Sequence, residues 1–398
     1  MKKKILLISW SDVFGGASQA AFEIYKSLRR KVKINFFVQR KITNYKFVKT
    51  YKKKTLNLML RNVFSFLSYK MRFSKHDHSL NIINSDILKV AKINKYEIIN
   101  IHWFNSETLS IKDLSKIKKK IVLTLHDMWA FCGTEHYLYE YPSAYFKRGK
   151  NINISKIDYK IWQIKKNNWK KKFNIVAPSN WMSKLIKNSK LFFDFPVTVI
   201  PYTVDKKLFF EKKILKVKIK NNYIFKTKKI DILFISASRL FNFRKGFELL
   251  DKAICKSNLR NRVRLIIVGP VKEKDKKKIM TENIALGEIN DKKILNNIYN
   301  FSDILGLPSR LDNLPNVGLE AHTCGLPIIA FDVGGIPDIV SHKKTGYLAK
   351  PFKLKDLIDG IHYILKNKKR LKENSLQKSK IWDPNLVSKK YQKLFNNI

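Results

Sequence analysis

The chain contains 398 residues, of which 44% are hydrophobic and 12% are aromatic. This length leaves room for two domains of ordinary size, and this composition excludes a disordered tail protein. No apolar run reaches about 18 residues, so we expect no transmembrane helix. The three cysteines (Cys132, Cys255 and Cys324) form no CxxC pair and have no histidine at metal-ligand spacing. We therefore expect no zinc site, no disulfide framework and a reducing, cytoplasmic location.

Lysine and arginine outnumber aspartate and glutamate by 81 to 31, which gives a formal net charge of +50. An excess of this size attracts polyanions such as nucleic acid or an anionic membrane. The excess is mostly lysine, spread along the chain beside abundant asparagine and isoleucine, as A/T-biased codon usage would also produce. Both explanations stay open from the sequence.

A strand, a glycine loop and a helix open the chain. The apolar run Lys4–Ser9 predicts a parallel strand that is buried on both faces. Gly15 and Gly16 follow it, before a helix predicted from about Ala17 to Arg30, and Lys33–Val38 predicts the second strand. Glycines at the carboxyl end of such a strand let the backbone approach a ligand closely. A plain strand-to-helix turn explains the pair equally well.

A long basic segment with an apolar stripe runs from Phe47 to Phe73. Six apolar residues fall on one helical face: Leu56, Met59, Leu60, Val63, Phe64 and Leu67. The basic residues lie elsewhere: Lys52, Lys53, Lys54, Arg61 and Lys70. One interpretation is a surface helix that lies on anionic lipid. We favour the other, a helix whose apolar face packs on the sheet, because most amphipathic helices face a core.

Two further buried strands are predicted at Glu97–Trp103 and Lys120–Leu125. The second runs into His126 and Asp127, so this histidine lies where open α/β sheets bind ligands. Its side chain could donate a hydrogen bond to a sugar hydroxyl or to an oxygen of a leaving phosphate. A His-Asp pair also suggests an oriented base, although adjacent residues in a turn rarely face each other.

A polar, Lys-rich stretch at about 202–229 interrupts the alternation of strands and helices, and we predict a domain boundary there. The strands Asn174–Ser179 and Val197–Pro201 precede it, and Asp231–Ser238 restarts the alternation. Four more strands are predicted after that point: Arg264–Gly269, Ile284–Glu288, Asp303–Ser309 and Leu326–Val333.

Two cations, Arg239 and Lys245, follow the strand Asp231–Ser238. They suit a diphosphate, because arginine offers a fork to two oxygens and lysine a mobile point charge. Among 81 basic residues any single pair is common. The pair therefore indicates a diphosphate site only in combination with the acidic residues that follow it in the sequence.

The stretch from 308 to 346 predicts a phosphate-binding helix. We expect Asn316 to be its N-cap, and the first free amides to belong to Val317 and Gly318. Gly318 has no side chain that could block a ligand, and bare amides at a helix N-terminus bind phosphate. The stretch thus predicts where an anionic group is held.

Two acidic residues, Asp312 and Glu320, lie around the start of this helix with seven residues between them. Glu320 is expected on the first turn, where its side chain leans towards the N-terminus and could reach a ribose attached to the phosphate. These residues predict a nucleoside diphosphate site. A capped helix with two solvated acids is the simpler alternative.

This stretch resembles the donor-binding signature of the family 4 retaining glycosyltransferases, which have the GT-B fold. The resemblance rests on Asp312, Glu320-Ala321, Cys324-Gly325-Leu326-Pro327 and Gly334-Gly335-Ile336-Pro337. The run His126-Asp127-Met128-Trp129 is similar to a subgroup that builds bacterial cell-surface polysaccharides. The first acid is usually glutamate in the family, so Asp312 is one methylene shorter, and a cysteine cluster found in some members of the subgroup is absent here.

The resemblance implies a role for each site residue. The catalytic set would be His126, Asp312 and Glu320. The donor-binding set would be Gly15, Gly16, Arg239, Lys245, Asn316, Val317, Gly318 and Glu320. Cations and helix amides would neutralise the leaving diphosphate, so neither a metal nor a cofactor is expected.

The implied fold is α/β: two Rossmann-like, doubly wound domains that face across a cleft, with the last helix crossing back to the first domain. We place the first, acceptor-side domain at 1–205 with the helix 383–398, and the nucleotide-sugar-binding domain at 206–382. The chain would end in helices near Leu354–Lys366, Arg370–Lys380 and Asn385–Phe395. Trp382, between the last two, would be a packing anchor.

The implied activity is that of a retaining hexosyltransferase, which moves a sugar from a nucleotide diphosphate sugar to an acceptor hydroxyl. The implied acceptor is a lipid-linked glycan in capsule, O-antigen or exopolysaccharide synthesis. Such an enzyme would be cytoplasmic, with peripheral contact to the anionic inner face of the cell membrane, and no nucleic acid partner is expected.

Two alternatives stay open. A protein that binds nucleic acid or another anionic surface would use its basic surface as the function, although no RNA- or DNA-binding motif occurs. Another GT-B enzyme, such as a sugar-nucleotide epimerase, would turn over the donor without an acceptor.

Overall fold

The computed structural model describes residues 3–53, 55–71, 77–219 and 222–398. The chain forms two compact units, one made of Met1–Tyr202 with Val387–Ile398 and the other of Thr203–Leu386. Each unit is built on a parallel sheet whose strands alternate with helices. The predicted α/β class with two Rossmann-like halves is therefore confirmed.

The sheet of the first unit has seven strands in the order β3-β2-β1-β4-β5-β6-β7, and all neighbouring strands are parallel. The strands are β1 (Lys4–Ser11), β2 (Lys33–Arg40), β3 (Val48–Lys49), β4 (Ile98–Ile101), β5 (Lys120–Thr124), β6 (Asn174–Ala177) and β7 (Val197–Val199). The four residues of β4 are all buried, which explains why such strands appear in the sequence as continuous apolar runs.

Within the described residues of this unit, six α-helices connect the strands: α1 (Gly15–Leu28), α2 (Leu56–Met71), α3 (Ile87–Val90), α4 (Ile111–Lys116), α5 (Lys156–Asn168) and α6 (Asn180–Asn188). Helix α1 begins at Gly15 instead of Ala17, a shift of the size that helix ends commonly show, since terminal turns are defined by few hydrogen bonds. In the part of the chain that the structure describes, no helix is long and apolar enough to cross a bilayer.

Helix α2 forms within the segment at 47–73, but the expectation that its apolar stripe packs on the sheet is wrong. Five residues of the predicted stripe face outward, each between 47% and 73% exposed: Leu56, Met59, Leu60, Val63 and Leu67. Arg61 is fully buried, and Phe64 is half-buried against the core. Periodicity separates the two faces of a helix but does not say which one meets the protein. Lys54, the side chain of Lys70 and residues 72–73 lie outside the described residues.

The second unit begins with a short antiparallel pair, β8 (Lys216–Ile219) and β9 (Asn222–Phe225), in the stretch for which the sequence predicted no strand. Its main sheet is parallel, in the order β12-β11-β10-β13-β14-β15. The strands are β10 (Ile230–Ile235), β11 (Val263–Val268), β12 (Asn283–Gly287), β13 (Ile304–Leu307), β14 (Ile328–Phe331) and β15 (Gly346–Ala349).

Among residues 203–219 and 222–398, eight α-helices accompany this sheet and end the chain. They are α7 (Phe247–Cys255), α8 (Glu273–Lys276), α9 (Lys292–Phe301), α10 (Asn316–Thr323), α11 (Ile336–Ile339), α12 (Leu354–Lys366), α13 (Lys368–Ser379) and α14 (Pro384–Asn396). The three terminal helices lie within two residues of their predicted ends, because each carries a strong 3.6-residue apolar period or a clear boundary residue.

Most of α14 belongs to the first unit, from Val387 onward. Tyr391 is fully buried there, and its hydroxyl lies 3.5 Å from the hydroxyl of Thr124 at the end of β5. The Nζ of Lys3 donates to the carbonyl oxygen of Phe395 at 3.1 Å. The prediction that the last helix returns to the first half of the chain is confirmed.

Trp382 is a packing anchor of the second unit, as predicted. It is 1% exposed, and its ring stacks on that of His322 at 6.0 Å between centroids. We expect Trp382→Ala to lower the free energy of unfolding by about 3–5 kcal/mol, because a large buried ring leaves a cavity. Urea denaturation followed by circular dichroism measures this.

The neighbouring Ile381, which is 48% exposed, provides the control. Ile381→Ala should change the same free energy by only about 0.5 kcal/mol, as surface substitutions do. Equal losses for the two variants would contradict the anchoring role.

Candidate functional site

Three loops meet at the carboxyl edge of the second sheet, after the neighbouring strands β10, β13 and β14. The carboxyl ends of parallel strands share one edge, which is where open α/β sheets bind ligands. The amide of Arg310, after β13, donates to the carbonyl of Arg244, after β10, at 2.8 Å. The amide of Gly335, after β14, donates to the carbonyl of Asp312 at 2.9 Å. Backbone hydrogen bonds thus tie the three loops together.

Two glycines make this close approach possible. Gly246 has φ +65° and Gly334 has φ +58°, a conformation that side chains with a Cβ rarely adopt. A Cβ would also overlap the carbonyl oxygen of Pro308 at position 246 and that of Asp312 at position 334. Both positions therefore require glycine for backbone shape and for space.

The carboxylate of Asp312 is 6% exposed and is held by two cations. Its Oδ2 lies 2.6 Å from the Nζ of Lys245 and 3.1 Å from an Nη of Arg244. Burial by itself would raise the pKa of Asp312, but the charges of Lys245 and Arg244 and the hydrogen bonds from Lys245 and Asn313 outweigh it and hold the pKa below its usual value. Two cations facing one carboxylate leave a positive excess suited to a diphosphate.

Arg239 lies outside this cluster. Its side chain is exposed on the loop after β10. In the described ranges, the ion-pair partners of Asp312 are Arg244 and Lys245, and no role had been predicted for Arg244. Its position directly before Lys245 was the available signal.

Helix α10 begins one residue earlier than predicted. Its N-cap is Pro315, whose backbone is extended (φ −63°, ψ 122°), and Asn316 is the first helical residue. The expectation that Asn316 caps the helix is therefore wrong, because the proline already takes the extended conformation that a cap requires. As a result Glu320 lies on the second turn, not the first.

Gly318 differs from its expected role in two ways. Its amide donates to the carbonyl of Pro315 at 3.0 Å, so it is not a bare donor. A Cβ at this position would lie 3.2 Å from two carbons of the Ile339 side chain. The absence of a side chain therefore serves helix packing, and Val317 remains as the predicted amide in the first turn.

Glu320 is 9% exposed and is oriented by a tyrosine from α9. The hydroxyl of Tyr299 donates to Oε2 at 2.7 Å, and the Nζ of Lys292 lies 3.6 Å from Oε1. Burial, together with the neighbouring negative charge of Glu320, raises the pKa of the Tyr299 hydroxyl well above its usual value, so the hydroxyl stays protonated and donates. Tyr299 had not been identified from sequence, because it is 21 residues away on another helix.

In the first unit, His126 follows β5 and is buried. Its Nδ1 lies 2.7 Å from the hydroxyl of Tyr202, and its Nε2 lies 3.1 Å from Nδ1 of His102, which follows β4. Burial lowers the pKa of His126 to about 4, despite the opposing charge of Asp127, so the imidazole is neutral at pH 7. His102 is the next-to-last residue of the predicted strand Glu97–Trp103, which ends at the same sheet edge, and this position was the signal that could have found it.

Asp127 does not orient His126. Its Oδ2 lies 2.6 Å from Nδ1 of His136 and accepts from the indole nitrogen of Trp103 at 2.9 Å. The structure thus agrees with the expectation that adjacent residues in this turn do not face each other.

Gly15 and Gly16 lie after β1, at the same edge of the first sheet. Gly15 has φ +78°, whereas a Cβ added there would meet nothing within 4 Å. The backbone conformation, and not crowding, explains glycine at position 15. A donor contact of the pair stays a prediction.

Comparison with known proteins agrees with this geometry. Residues 216–379, most of the second unit, match the family model described as "Glycosyl transferases group 1". A Klebsiella pneumoniae protein described as an uncharacterized protein of the cps region is 24% identical over 291 residues, 71% of this chain and 74% of that protein. A Campylobacter jejuni N,N'-diacetylbacillosaminyl-diphospho-undecaprenol alpha-1,3-N-acetylgalactosaminyltransferase is 32% identical over 99 residues, 24% of this chain and 26% of that protein.

Among solved structures, Anabaena HepE in complex with UDP-glucose superposes with a TM-score of 0.66 at 15% identity, covering 100% of each chain. Likeness at this identity establishes the fold, which is GT-B. The chain therefore carries a group 1 glycosyltransferase domain and is a transferase enzyme.

The buried carboxylate of Asp312 generates a pH prediction. We expect Asp312→Asn to lower the free energy of unfolding by about 1–3 kcal/mol at pH 7, because it removes a charged acceptor from two partly buried cationic donors. A depressed carboxyl pKa stabilises the fold above the unfolded pKa of about 3.9, and this stability is lost as the pH falls through the folded value. The difference between wild type and variant, measured by urea denaturation, should therefore narrow from pH 7 to about pH 3.5.

The control is Asp359→Asn on α12, where the carboxylate is exposed. This variant should have the same free energy of unfolding as the wild type at pH 7 and at about pH 3.5. A constant difference for Asp312→Asn across the pH range would mean that Asp312 is not held as a charged group.

Proposed function

We propose that the protein is a family 4 retaining glycosyltransferase that transfers a sugar from a nucleotide diphosphate sugar to an acceptor hydroxyl. The observation that carries the proposal is the cluster of Asp312, Lys245 and Arg244 at the sheet edge from which α10 presents Glu320. These residues lie within the span that matches the group 1 glycosyltransferase model.

The donor diphosphate is neutralised by protein groups in this proposal, without a metal or another cofactor. Lys245 and Arg239 supply charge, and the first turn of α10, at Asn316 and Val317, supplies the positive end of a helix dipole. Fixed positive groups of this kind stabilise charge that develops on the leaving diphosphate. Glu320 accepts hydrogen bonds from the ribose, with Oε2 already oriented by Tyr299.

The donor sugar is contacted by Asp312 and His126. Asp312 stays ionised at neutral pH beside its two cations, so it can accept hydrogen bonds from sugar hydroxyls. His126 stays neutral at pH 7, and a neutral imidazole can donate one hydrogen bond without adding charge. Gly15 and Gly16 are proposed to leave space for the donor phosphate and the acceptor.

The proposed acceptor is a lipid-linked glycan in surface polysaccharide synthesis. Two relatives support this choice: one is described as a protein of the cps region, and the name of the other specifies a diphospho-undecaprenol acceptor. We further propose that the enzyme works in the cytoplasm, in peripheral contact with the anionic inner face of the membrane.

The donor site is tested by the thermal stability of the purified chain with a panel of nucleoside diphosphates and their sugars, beginning with UDP and UDP-glucose. A ligand present at about 100 times its Kd stabilises the fold by about 2.7 kcal/mol, which raises the melting temperature. We expect one nucleotide to stabilise the wild type and Glu320→Ala to lose that response.

Two variants serve as controls. Glu320→Gln keeps an acceptor for Tyr299 but loses the charge, so it should respond weakly even if Glu320→Ala folds poorly. Glu373→Ala removes an exposed carboxylate from α13 and should respond like the wild type. Full nucleotide response in both Glu320 variants would exclude the proposed ribose contact.

A further inference from the structure

Helix α2 exposes a row of apolar side chains, which an ordinary surface helix turns towards the core. Its buried side combines Arg61 and Ser68 with Leu58, which is 6% exposed. The apolar face of α2 consists of Leu56, Met59, Leu60, Val63 and Leu67. These positions recur at three- and four-residue spacing, so they form one continuous stripe. On the opposite side of the helix, Arg61 is fully buried and Ser68 is only 7% exposed to solvent.

Arg61 fixes the rotation of the helix. Its guanidinium donates to the side chain of Gln39 at 2.7 Å, to the carbonyl of Glu107 at 2.6 Å, to the hydroxyl of Tyr51 at 2.7 Å and to Asp86 at 3.1 Å. Rotating α2 to bury its apolar face would strip a buried cation of these acceptors, which is costly. The outward orientation of the apolar face is therefore built into the packing of the first unit.

A continuous exposed stripe of apolar side chains indicates a surface that binds an apolar partner. Single apolar residues are normal on protein surfaces, whereas a contiguous patch marks an interaction site with another protein or a membrane. All five residues of the apolar face are at least 47% exposed, and Leu56 reaches 73%. Exposing an apolar face to water along about three turns of helix is unfavourable unless another surface covers it.

The positive charge around α2 favours an anionic partner. Lys49, Lys52 and Lys53 are exposed immediately before α2, and the chain as a whole carries +50. Two copies of so basic a chain repel each other, which disfavours a homodimer through this face. An anionic bilayer offers both an apolar layer at the depth of the headgroup boundary and negative charge above it.

We propose that the apolar face of α2 inserts into the surface of an anionic membrane, with Lys49, Lys52 and Lys53 at the level of the headgroups. The apolar face of α2 is thus the surface that would make the peripheral membrane contact of the proposed function. The inference rests on the proposed function only for the identity of the membrane-bound acceptor. Its test is lipid binding, which can fail while donor binding succeeds.

The experiment is sedimentation of the full chain with vesicles of phosphatidylglycerol and phosphatidylcholine in equal parts, and with vesicles of phosphatidylcholine alone. We expect binding to the anionic vesicles only. Leu60→Gln/Val63→Gln should weaken it about tenfold or more, since two exposed apolar side chains lose their burial in lipid. Lys52→Gln/Lys53→Gln should also weaken it, by about tenfold at low salt.

The matched control is Leu215→Gln/Met280→Gln, which removes two apolar side chains of the second unit that are 63% and 49% exposed. It should bind vesicles like the wild type. All variants should keep the melting temperature and the nucleotide response of the wild type, because these positions are exposed and remote in sequence from the donor-site residues.

Three results would overturn the proposal. The first is anionic-vesicle binding that Leu60→Gln/Val63→Gln leaves unchanged. The second is the absence of binding by the wild type. The third is a dimer in analytical ultracentrifugation that this double variant converts to a monomer, which would assign the apolar face of α2 to a second copy of the chain.

Discussion

In the second unit, the carboxylate of Asp312 is buried against the cations of Lys245 and Arg244, and the candidate donor site depends on this contact. A buried carboxylate without such partners would be neutralised or expelled. The cations come from the loop after β10 and the acid from the loop after β13, so the ion pairs can form only if these loops lie close together. Gly246 and Gly334 make that approach possible by removing the Cβ atoms that would collide with carbonyl groups. Two cations beside one carboxylate leave a net positive charge at the site before any ligand binds. Preorganised charge of this kind stabilises a departing diphosphate.

The first unit shows the same dependence of surface function on buried polar contacts. Arg61 is surrounded by acceptors from four separate segments, and this arrangement turns the apolar face of α2 outward. A net charge of +50 alone could not separate codon bias from a real preference for anionic surfaces. The structure adds an exposed apolar stripe beside exposed lysines, a combination that codon bias does not explain.

Sequence patterns predicted most strands of both sheets and the terminal helices, because a buried parallel strand leaves a continuous apolar run and a packed helix leaves a 3.6-residue period. The short edge strands β3 and β15 were not predicted. The pair β8–β9 was missed, since its strands have only four residues each and β8 alternates with lysine. Local patterns also could not show tertiary partners: Tyr299 reaches Glu320 from another helix, and His102 reaches His126 from another strand. The motif predicted where Gly318 lies but not that it packs on Ile339.

We propose that the second unit holds the donor nucleotide at the loops after β10 and β13 and at the start of α10. Hydrogen–deuterium exchange of the full chain with and without UDP tests it most directly, because exchange reports where backbone amides become protected. With UDP bound, we expect slower exchange than in the free protein for the peptides that cover 239–246 and 308–320. Protection confined to other segments, together with a rise in melting temperature, would show that a nucleotide binds elsewhere and would contradict the claim.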